Sequence, residues 1–588
     1  MHILGINFSG HDSAASIIKD GKIIACAAEE RFLRLKHTGV FPFKAIEYCL
    51  KEAGIQLLDL DHIGFYWNPG NEIVSNYDSR DYVRDNREFL YFLMNQLFTL
   101  IPKGEKRIDG IVQEVQFRAK PNPMRIYFCE HHMVTAASCF FVSPFHESAI
   151  LTIDSYGEET TTMFSYGKGN KIDVIDEIKL PNSVGQLYST VTQFLGFRTN
   201  SGEGKVMGLA SYGKLSYYDA FGKIVKLLPR GRFELDLSYF EFFRRTGRKY
   251  SDKFIEVFGS PRKGEAEPIT DRHADIAASI QKVIGDLMVH FATHLKEVTG
   301  SGNLCMAGGV ALNSVGNGKI FKTRLFKNIC VQPAANDVGT SLGSALYVYH
   351  QLHHYPRRFV QTHDYWGPSY TAEEIEKMLE IAKIPYTRYD NIEEVTAHLL
   401  VDNKIIGWFQ GRMEFGPRAL GNRSILANPC HPDMKDILNT WVKHRESFRP
   451  FAPSILEEKC GEYFDENYPS PYMLLVYDVL PKKRKVVPAI THVDNTGRVQ
   501  TVNQEQNPRY YRLIKEFEKI TGVPVILNTS FNIRGEPIVC TPQDALKCFI
   551  ATGMDYLVMD NFLIAKEALP GYESQVQQTN EILNQARV

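Results

Sequence analysis

The sequence has no excess of charge of either sign, no closely spaced cysteine pair and no long hydrophobic run. Its 67 Lys and Arg balance 68 Asp and Glu, for a net charge of -1 at pH 7, so no global field attracts nucleic acid or an anionic membrane. Its ten cysteines are scattered without a CxxC pair, which indicates buried free thiols in a reducing compartment. No run of about 18 apolar residues predicts a membrane helix, and no basic leader precedes the first strand. We therefore expect a soluble, cytoplasmic protein without a membrane partner.

The length of 588 residues, with 44% hydrophobic and 23% charged residues, is typical of a globular protein with several cores. At roughly 150 residues per domain, the chain is expected to form two to four units. We predict a first domain over residues 1–352, a proline-broken linker over 353–370, a second domain over 371–566 and a polar tail over 567–588.

A strand, a polar glycine turn and a second strand occur twice in the first domain. The first copy comprises Ile3–Ile6 and Ala15–Ile18, and the second comprises Ala149–Ile153 and Thr161–Tyr166. A long amphipathic helix is predicted within residues 268–298 from its apolar i, i+3, i+4 spacing. The repetition predicts a duplicated α/β core with a ligand held between its halves.

Some turns of the first domain carry side chains suited to chemistry. His11 lies in a turn between strands, where an imidazole can act as a general base or can simply cap the turn. The glycine turns at 154–158 and 307–313 suit the close approach of a phosphate or an adenosine moiety, or a tight strand-to-helix packing turn. The turns alone do not decide between these alternatives.

The second domain has a segment, residues 407–453, in which basic residues alternate with Gly, Pro and Phe. Arginine forks bind phosphate oxygens in pairs, and a merely solvated surface is seldom so rich in Phe, Pro and Gly. Arg498 and Asn528 lie in or after later strands, where α/β ligand sites form. Among the basic residues of the segment are Arg412, Arg418, Arg423, Lys443, Arg445 and Arg449.

The stretch EHHMVTAAS, residues 130–138, opens a helix with two histidines, and Thr135 occupies the position where a second metal ligand at i+4 would stand. His131, Asp154 at a strand end and Asp337 at a helix start could meet in the cleft of a two-lobed fold. One imidazole and two carboxylates suit Fe(II), Mn(II) or another divalent ion. Sequence spacing alone does not establish such a site.

With these residues in hand, the chain resembles the NodU/CmcH-type O-carbamoyltransferase family over nearly its whole length. The resemblance rests on long blocks: GHDSAA, AAEERFLRLKH, GEGKVMGLASYG, LCMAGGVALN, GWFQGRMEFGPRALGNRSI, FRPFAP, GRVQTV, NPRYYRLI and LNTSFNIRGEPIVCTP. It implies an N-terminal domain with a duplicated actin-like ATPase fold, similar to threonylcarbamoyl transferases, and a C-terminal YrdC-like α/β domain.

The resemblance also implies a two-step reaction. Carbamoyl phosphate and ATP, with Mg²⁺, would give carbamoyl-adenylate in the second domain, and the intermediate would cross an enclosed path to the first domain for transfer to a hydroxyl. Keeping water away protects such a mixed anhydride. The residues that match the activation site are Arg418, Lys443, Arg449, Arg498 and Asn528.

In the first domain, His11 matches the base that deprotonates the acceptor hydroxyl. The positions that match intermediate and metal binding are Gly309, Asn313, His131, Asp154 and Asp337. This chain departs from the family pattern at Thr135, which replaces the second histidine of an HxxxH pair, and at Ser155, which replaces a glycine. Either a metal such as Fe²⁺ is held by His131, Asp154 and Asp337, with water or Thr135 in the gap, or the site is metal-free or uses Mg²⁺.

The acceptor and the oligomeric state are not readable from the sequence. A sugar, a secondary metabolite or a nucleoside fits the chemistry. A hydroxymethylated base in nucleic acid is also permitted by basic runs at 244–249 and 482–485 and by scattered Lys and Arg over 103–125. Such runs are, however, commonly solvated loops. Two other functions stay open. One is a tRNA threonylcarbamoylation enzyme, and the other is a non-catalytic nucleotide-binding homologue.

Overall fold

A computed structural model describes residues 1–8, 10–68, 111–115, 124–242 and 247–570, and the chain divides into two units. The N-terminal unit comprises residues 1–33, 37–362 and 474–476, and the C-terminal unit comprises 34–36, 363–473 and 477–588. The predicted domain limits stay a prediction. Most of the predicted tail, from residue 571 onwards, lies outside the described residues.

The N-terminal unit contains two sheets with the same connectivity. The first has the order β3-β2-β1-β4-β6-β5 and the second β13-β12-β7-β8-β9. In each sheet, three consecutive strands form an antiparallel meander. The first strand of the meander, β1 or β7, pairs on its other side with a parallel strand, which in turn pairs with a second parallel strand. This repeat gives the duplicated α/β fold that the sequence predicts. The strands are β1 His2–Asn7, β2 Ala14–Lys19, β3 Lys22–Ala28, β4 His62–Phe65, β5 Ile111–Val115, β6 Met124–Phe128, β7 Glu147–Gly157, β8 Thr160–Lys168, β9 Lys171–Lys179, β12 Asn303–Ala307 and β13 Asn328–Val331, with a separate hairpin of β10 Val225–Leu228 and β11 Arg232–Leu235.

The helices of this unit pack on the sheets through apolar faces. The long helix α8 buries residues at helical spacing, among them Ile276, Ile280, Ile284 and Phe291. A capping box at its start and Gly300 with φ 64° at its end set its limits. The helices are α1 Glu29–Leu33, α2 Phe43–Ala53, α3 His131–Phe140, α4 Val184–Phe194, α5 Glu203–Ala210, α6 Tyr218–Ile224, α7 Asp252–Phe258, α8 Asp271–Thr299, α9 Ser314–Lys322 and α10 Val338–Tyr347.

Strand β7 is longer than the sequence predicts. The expected strand ends at Ile153, whereas β7 continues to Gly157 and pairs Gly157 with Thr160. The pairing with β8 shifts register between Ile153 and Gly157, which is the behaviour of a bulge that re-aims side chains. Asp154 lies in this irregular part of the strand.

The C-terminal unit is built on a nine-stranded mixed sheet in the order β14-β22-β21-β15-β16-β20-β17-β19-β18. Together with its flanking helices, this α/β arrangement agrees with the predicted fold class. The strands are β14 Thr387–Arg388, β15 Ile406–Phe409, β16 Arg423–Ala427, β17 Ala452–Leu456, β18 Leu475–Asp478, β19 Thr496–Val502, β20 Val525–Ser530, β21 Tyr556–Met559 and β22 Phe562–Ala565. The helices are α11 Ala372–Ile381, α12 Ile392–Val401, α13 Met434–Ile437, α14 Cys460–Tyr463, α15 Pro508–Thr521 and α16 Pro542–Ile550.

All ten cysteines are free thiols, and all except the half-buried Cys330 and Cys430 are buried. Among the described residues, no helix combines the length and the apolar character needed to cross a membrane.

Candidate functional site

Three predicted ligands meet in the N-terminal unit. His131 is the first residue of α3, Asp154 lies in the irregular part of β7, and Asp337 immediately precedes α10. Each offers one ligand atom, and these atoms all lie within 4.8 Å of one another. The structure therefore brings together an imidazole and two carboxylates that are far apart in sequence.

Backbone N-H groups fix Asp154 in this cluster. Its Oδ1 accepts a hydrogen bond from the N-H of Ser155 at 2.7 Å, and its Oδ2 accepts one from the N-H of Gly309 at 2.8 Å. A Cβ on Gly309 would lie 3.1 Å from Oδ1 of Asp154, so glycine at this position permits the close approach. The predicted binding residue Gly309 thus contacts the cluster directly.

The buried ring of His131 fits a role in holding a cation. Neither of its ring nitrogens makes a hydrogen bond to the described residues, and Nε2 lies 3.8 Å from Oδ2 of Asp154. Against the effect of burial, Asp154 and Asp337 raise the pKa of His131 to about 9. Burial and the neighbouring Asp154 raise the pKa of Asp337 to about 6. An unbonded buried imidazole beside two carboxylates suits a divalent ion, which would satisfy all three groups.

Thr135, at the position of the missing histidine, is bound to its own helix. Its Oγ1 donates to the carbonyl oxygen of His131 at 2.7 Å. The neighbouring His132 is turned elsewhere: its Nδ1 lies 2.7 Å from Oγ1 of Thr152, and burial lowers its pKa to about 3. Within the described residues, the cluster therefore has three ligand groups from the protein.

Glu158 is a buried carboxylate next to this cluster that the sequence did not single out. Its Oε1 and Oε2 each lie 3.2 Å from the backbone nitrogen of His131, which donates to them, and Oε1 accepts from the N-H of Asn68 at 2.8 Å. Burial raises its pKa to about 8. The only signal in the sequence was a carboxylate in a glycine turn, which is ordinarily solvent-exposed, whereas in the structure this carboxylate is buried against the start of α3 and Asn68.

A second group of polar side chains surrounds His11. Nδ1 of His11 lies 3.1 Å from Oδ2 of Asp12, and Nδ1 of His37 lies 3.0 Å from Oδ1 of the same carboxylate. Asn336 donates to Oδ2 of Asp12 at 2.8 Å. Because Asn336 directly precedes Asp337, the start of α10 carries one residue of each group. The ligand atoms of His11, Asp12 and His37 also lie within 4.8 Å of one another.

Asp12 and His11 influence each other's protonation. Against the effect of burial, hydrogen bonds from His11 and His37 hold the pKa of Asp12 well below its usual range. In turn, Asp12 raises the pKa of His11 despite the burial of the ring. An ionised carboxylate that accepts a hydrogen bond from Nδ1-H favours the tautomer of the neutral imidazole in which Nε2 can accept a proton.

Asn313 has structural partners in this unit. Its Oδ1 accepts from the N-H of Gly316 at 3.0 Å and caps helix α9. Its side-chain amide also exchanges two hydrogen bonds with Gln281, at 3.0 and 3.1 Å. Its assignment as a binding residue stays a prediction.

In the C-terminal unit, arginines gather in one place. Burial and then Arg449 lower the pKa of Arg418 to about 10. Burial, followed by Arg418, Arg445 and Arg449, holds the pKa of Arg498 well below its usual range. The Nε atoms of Arg418 and Arg498 are buried and make no hydrogen bond to the described residues. Like-charged, desolvated guanidinium groups form a favourable site for an anion with several oxygens.

Asn528 connects strand β20 to this arginine cluster. Its Nδ2 is positioned to donate to the carbonyl oxygen of Ala419 at 3.3 Å, next to Arg418, and to side-chain oxygens of Ser454 and Gln500 at 3.1 and 3.0 Å. Its Oδ1 is buried without a partner among the described residues. Asn528 thus contacts the backbone of the residue that follows Arg418, and its assignment to the activation site stays a prediction.

The other basic residues of segment 407–453 have different environments. The buried ammonium of Lys443 donates to the carbonyl oxygens of Ser530 and Asn532 and to Oδ1 of Asn532. Arg412 and Arg423 are bound to backbone carbonyls, such as those of Trp366 and Gln410 respectively. These two arginines therefore support loops. Arg445, by contrast, belongs with the arginine cluster: burial and then Arg449 hold the pKa of Arg445 well below its usual range, while Glu446 acts in the opposite direction.

Only parts of the basic runs considered for nucleic-acid binding lie within the described residues. Residues 244–246 and 103–110 and 116–123 lie outside the described residues. In the second run, Lys482 and Lys485 are exposed, while Arg484 donates to the carbonyl oxygen of Val479 at 3.1 Å. A nucleic-acid acceptor stays a prediction.

Comparisons with known proteins match nearly the whole chain. The family model described as Carbamoyltransferase N-terminus matches residues 2–346, and the one described as Carbamoyltransferase C-terminus matches residues 397–566. The protein sll1178 of Synechocystis sp. is 44% identical over 97% of this chain and 98% of its own length. Nodulation protein NolNO of Sinorhizobium fredii is 38% identical over 95% of this chain and 79% of its own length.

A solved structure also aligns with part of the chain. The activator of the 2-hydroxyisocaproyl-CoA dehydratase from Clostridium difficile with bound ADPNP covers 60% of this chain and 95% of its own, at 13% identity and a TM-score of 0.28. This similarity is too low to support a conclusion about the chain.

Proposed function

Because the chain belongs to the carbamoyltransferase family, we propose that it is an ATP-dependent O-carbamoyltransferase that forms carbamoyl-adenylate and passes the carbamoyl group to an acceptor hydroxyl. The family membership confirms the resemblance found in the sequence blocks and the assignment as a carbamoyltransferase enzyme. It implies carbamoyl phosphate and an acceptor as substrates. The adenylate route and the residue roles below are the proposal.

The observation that carries the proposal is the arginine cluster of the C-terminal unit. Carbamoyl phosphate and ATP together bring several phosphate groups, whose charge Arg418, Arg449 and Arg498 would offset. In the proposed activation, water displaces phosphate from carbamoyl phosphate to give carbamate. A carbamate oxygen then attacks the α-phosphorus of ATP, the bond to the β-phosphate breaks, and carbamoyl-adenylate and pyrophosphate result.

Lys443 and Asn528 have supporting roles in this proposal. Lys443, which precedes Arg445 and Arg449 in the chain, binds the carbonyl oxygens of Ser530, the last residue of the strand that carries Asn528, and of Asn532. Nδ2 of Asn528 donates to the carbonyl oxygen of Ala419, the residue after Arg418, while its Oδ1 is unbonded, which suits a donor such as the carbamoyl amide.

In the N-terminal unit, His11 is the base of the transfer step. Nε2 of His11 takes the proton of the acceptor hydroxyl while the hydroxyl oxygen forms a bond to the carbamoyl carbon. The bond from that carbon to the AMP oxygen breaks, so a carbamate ester and AMP leave. Gly309 and Asn313 would contact the intermediate, in keeping with the glycine turn beside Asp154.

The residues His131, Asp154 and Asp337 fit a divalent metal and would hold it. When bound, such an ion supplies positive charge to oxygens of the adenylate phosphate. Two carboxylates and one imidazole accept Fe²⁺, Mn²⁺ or Mg²⁺. Asp154 is held ready for this role by the N-H groups of Ser155 and Gly309.

The test is incubation of the protein with ATP, carbamoyl phosphate and a panel of methyl glucoside, uridine and DNA containing 5-hydroxymethylcytosine. We expect pyrophosphate release that depends on carbamoyl phosphate, and a carbamoyl gain on one class of acceptor by mass spectrometry. Pyrophosphate release with threonine and bicarbonate in place of carbamoyl phosphate would instead indicate threonylcarbamoylation chemistry. Binding of ATP without any turnover would indicate a non-catalytic homologue.

A further inference from the structure

We propose that His37 is a positioning residue for the transfer step: it holds the second oxygen of Asp12 and covers the ring of His11, and so fixes the imidazole that takes the proton of the acceptor. This inference rests on the function proposed above for His11. His37 lies in the loop after α1, and no feature of sequence spacing links it to His11.

The two histidines share one carboxylate. Oδ2 of Asp12 is bound by Nδ1 of His11 at 3.1 Å, and Oδ1 is bound by Nδ1 of His37 at 3.0 Å. Asn336 adds a hydrogen bond to Oδ2 at 2.8 Å, and Nδ2 of Asn7 donates to the carbonyl oxygen of Asp12 at 3.1 Å. Of these contacts, only that of His37 restrains Oδ1, so it prevents the carboxylate from rotating away from His11.

The ring of His37 also contacts the ring of His11. Their centroids are 4.2 Å apart, with planes inclined by 34°. The side chains remain 26% exposed for His11 and 19% for His37, whereas Asp12 is 6% exposed. A partly exposed imidazole above a buried carboxylate can reach a substrate, and the neighbouring ring limits its rotation.

The backbone keeps the His37 loop against the His11 turn. Oγ of Ser13 donates to the carbonyl oxygen of Thr38 at 3.0 Å. A Cβ on Gly39 would lie 2.2 Å from the carbonyl oxygen of Gly10, so only glycine permits this approach. The N-H of His37 donates to Oε2 of Glu30 at 3.0 Å. These contacts hold the backbone at His37 in place independently of the bond from its ring to Asp12.

In the transfer step, the proton moves from the acceptor oxygen to Nε2 of His11. His37 neither gains nor loses a proton. His37 needs only its Nδ1-H as a donor to Asp12, with the carboxylate ionised. An asparagine amide at position 37 can supply a similar donor, whereas alanine cannot. His37 has φ 57°, a conformation that asparagine adopts more readily than alanine, so a loss of activity in H37A at an unchanged melting temperature is what separates a role at Asp12 from a general role in folding.

The experiment compares wild type, H37A and H37N, with H290A as a control histidine. His290 bonds the carbonyl oxygen of Leu228 at 2.9 Å on another part of the unit. General acid-base catalysis contributes typically 10²- to 10⁴-fold, so we expect H37A to lower kcat for carbamoyl transfer to the reacting compound of the panel by about 10- to 100-fold. We expect H37N to recover most of the loss, and pyrophosphate release to stay at the wild-type rate.

Crystal structures of wild type, H37A and H37N provide a readout without turnover. We expect the His11 ring to turn away from Asp12 in H37A and to stay in H37N. Normal transfer by H37A, or a His11 ring that stays in place in H37A, would overturn the role of His37. If wild type transfers to no panel compound or releases no pyrophosphate with carbamoyl phosphate, the proposed function fails, and the crystal structures alone decide the role of His37.

Discussion

The candidate sites of the two units have opposite charge. In the N-terminal unit, Asp154 and Asp337 approach one imidazole within 4.8 Å. In the C-terminal unit, burial and then Arg449 lower the pKa of Arg418, and burial followed by Arg418, Arg445 and Arg449 lowers the pKa of Arg498. Each arrangement is electrostatically incomplete without a ligand of the opposite sign. The difference indicates a cation in the first unit and phosphate groups in the second.

The largest effect is expected from removing a guanidinium of the C-terminal unit. R498A should lower carbamoyl-phosphate-dependent pyrophosphate release by roughly 30- to 5,000-fold, since the loss of one member of a buried charge pair costs about 2 to 5 kcal/mol. The thermal stability of the ligand-free protein should stay constant or rise, because one like charge is removed. A pyrophosphate assay and a melting curve measure both, with R484A as the control.

If R498A instead unfolds the ligand-free protein and R484A does not, Arg498 is a structural residue. In that case, the arginines of the C-terminal unit would not form a phosphate site, and the contrast between the two units would not hold.

The second effect concerns the carboxylates of the N-terminal unit. D154N should lower carbamoyl transfer by about 100-fold, because a metal ligand is lost and an amide N-H would face the donors of Ser155 or Gly309. Metal content after purification should fall as well, and pyrophosphate release should stay within about twofold of wild type. Elemental analysis measures the metal content, and the transfer and pyrophosphate assays measure the two activities. D173N, at an exposed position, is the control. Unchanged metal content in D154N would contradict the cation site.

A smaller effect should follow from restoring the missing ligand. T135H is expected to strengthen the binding of Fe²⁺ or Zn²⁺ by about 10- to 100-fold, because imidazole is a better ligand for these ions than water. The measurement is metal retained during dialysis against a chelator. T135V, which removes only the hydroxyl bonded to the carbonyl oxygen of His131, is the matched control. Equal retention by T135H and T135V would place the metal elsewhere.

The smallest effect is on stability at the edge of the same cluster. A Cβ at Gly157 would lie 2.4 Å from Cδ2 of His131, so G157A should lower the free energy of unfolding by about 1 to 3 kcal/mol. In the control G222A, the new Cβ meets nothing within 4 Å inside helix α6, and stability should not fall. Urea titrations measure both; equal stability of G157A and wild type would show that the His131 ring is not confined.

Periodicity and turn chemistry predicted much of the fold. The β1-β2-β3 meander, helix α8 and the repetition near residue 150 followed from local patterns, because each element buries its own apolar face. The extension of β7 through Gly157 did not, since a bulge depends on the partner strand. The hypothesis of the metal cluster came from residue types at the ends of elements and was then supported by the family resemblance, because residues 131, 154 and 337 carry no spacing signal for one another.

Other features of the sites could not be predicted for the same reason. The burial of Glu158 and the contact of His37 with Asp12 depend on tertiary packing of segments that look like ordinary turns. In segment 407–453, composition did not distinguish Arg412 and Arg423, whose Nη atoms bind backbone carbonyls, from Arg418, whose pKa is lowered by burial and then by the neighbouring Arg449. Side-chain partners, rather than residue type, separate the loop supports from the anion site.

The most direct test of the division between activation and transfer is to measure pyrophosphate release and carbamoyl transfer together in R498A and D154N. We predict that R498A loses both activities and that D154N keeps pyrophosphate release while it loses transfer. Loss of pyrophosphate release in D154N, or its persistence in R498A at the wild-type rate, would contradict the assignment of the two steps to the two units.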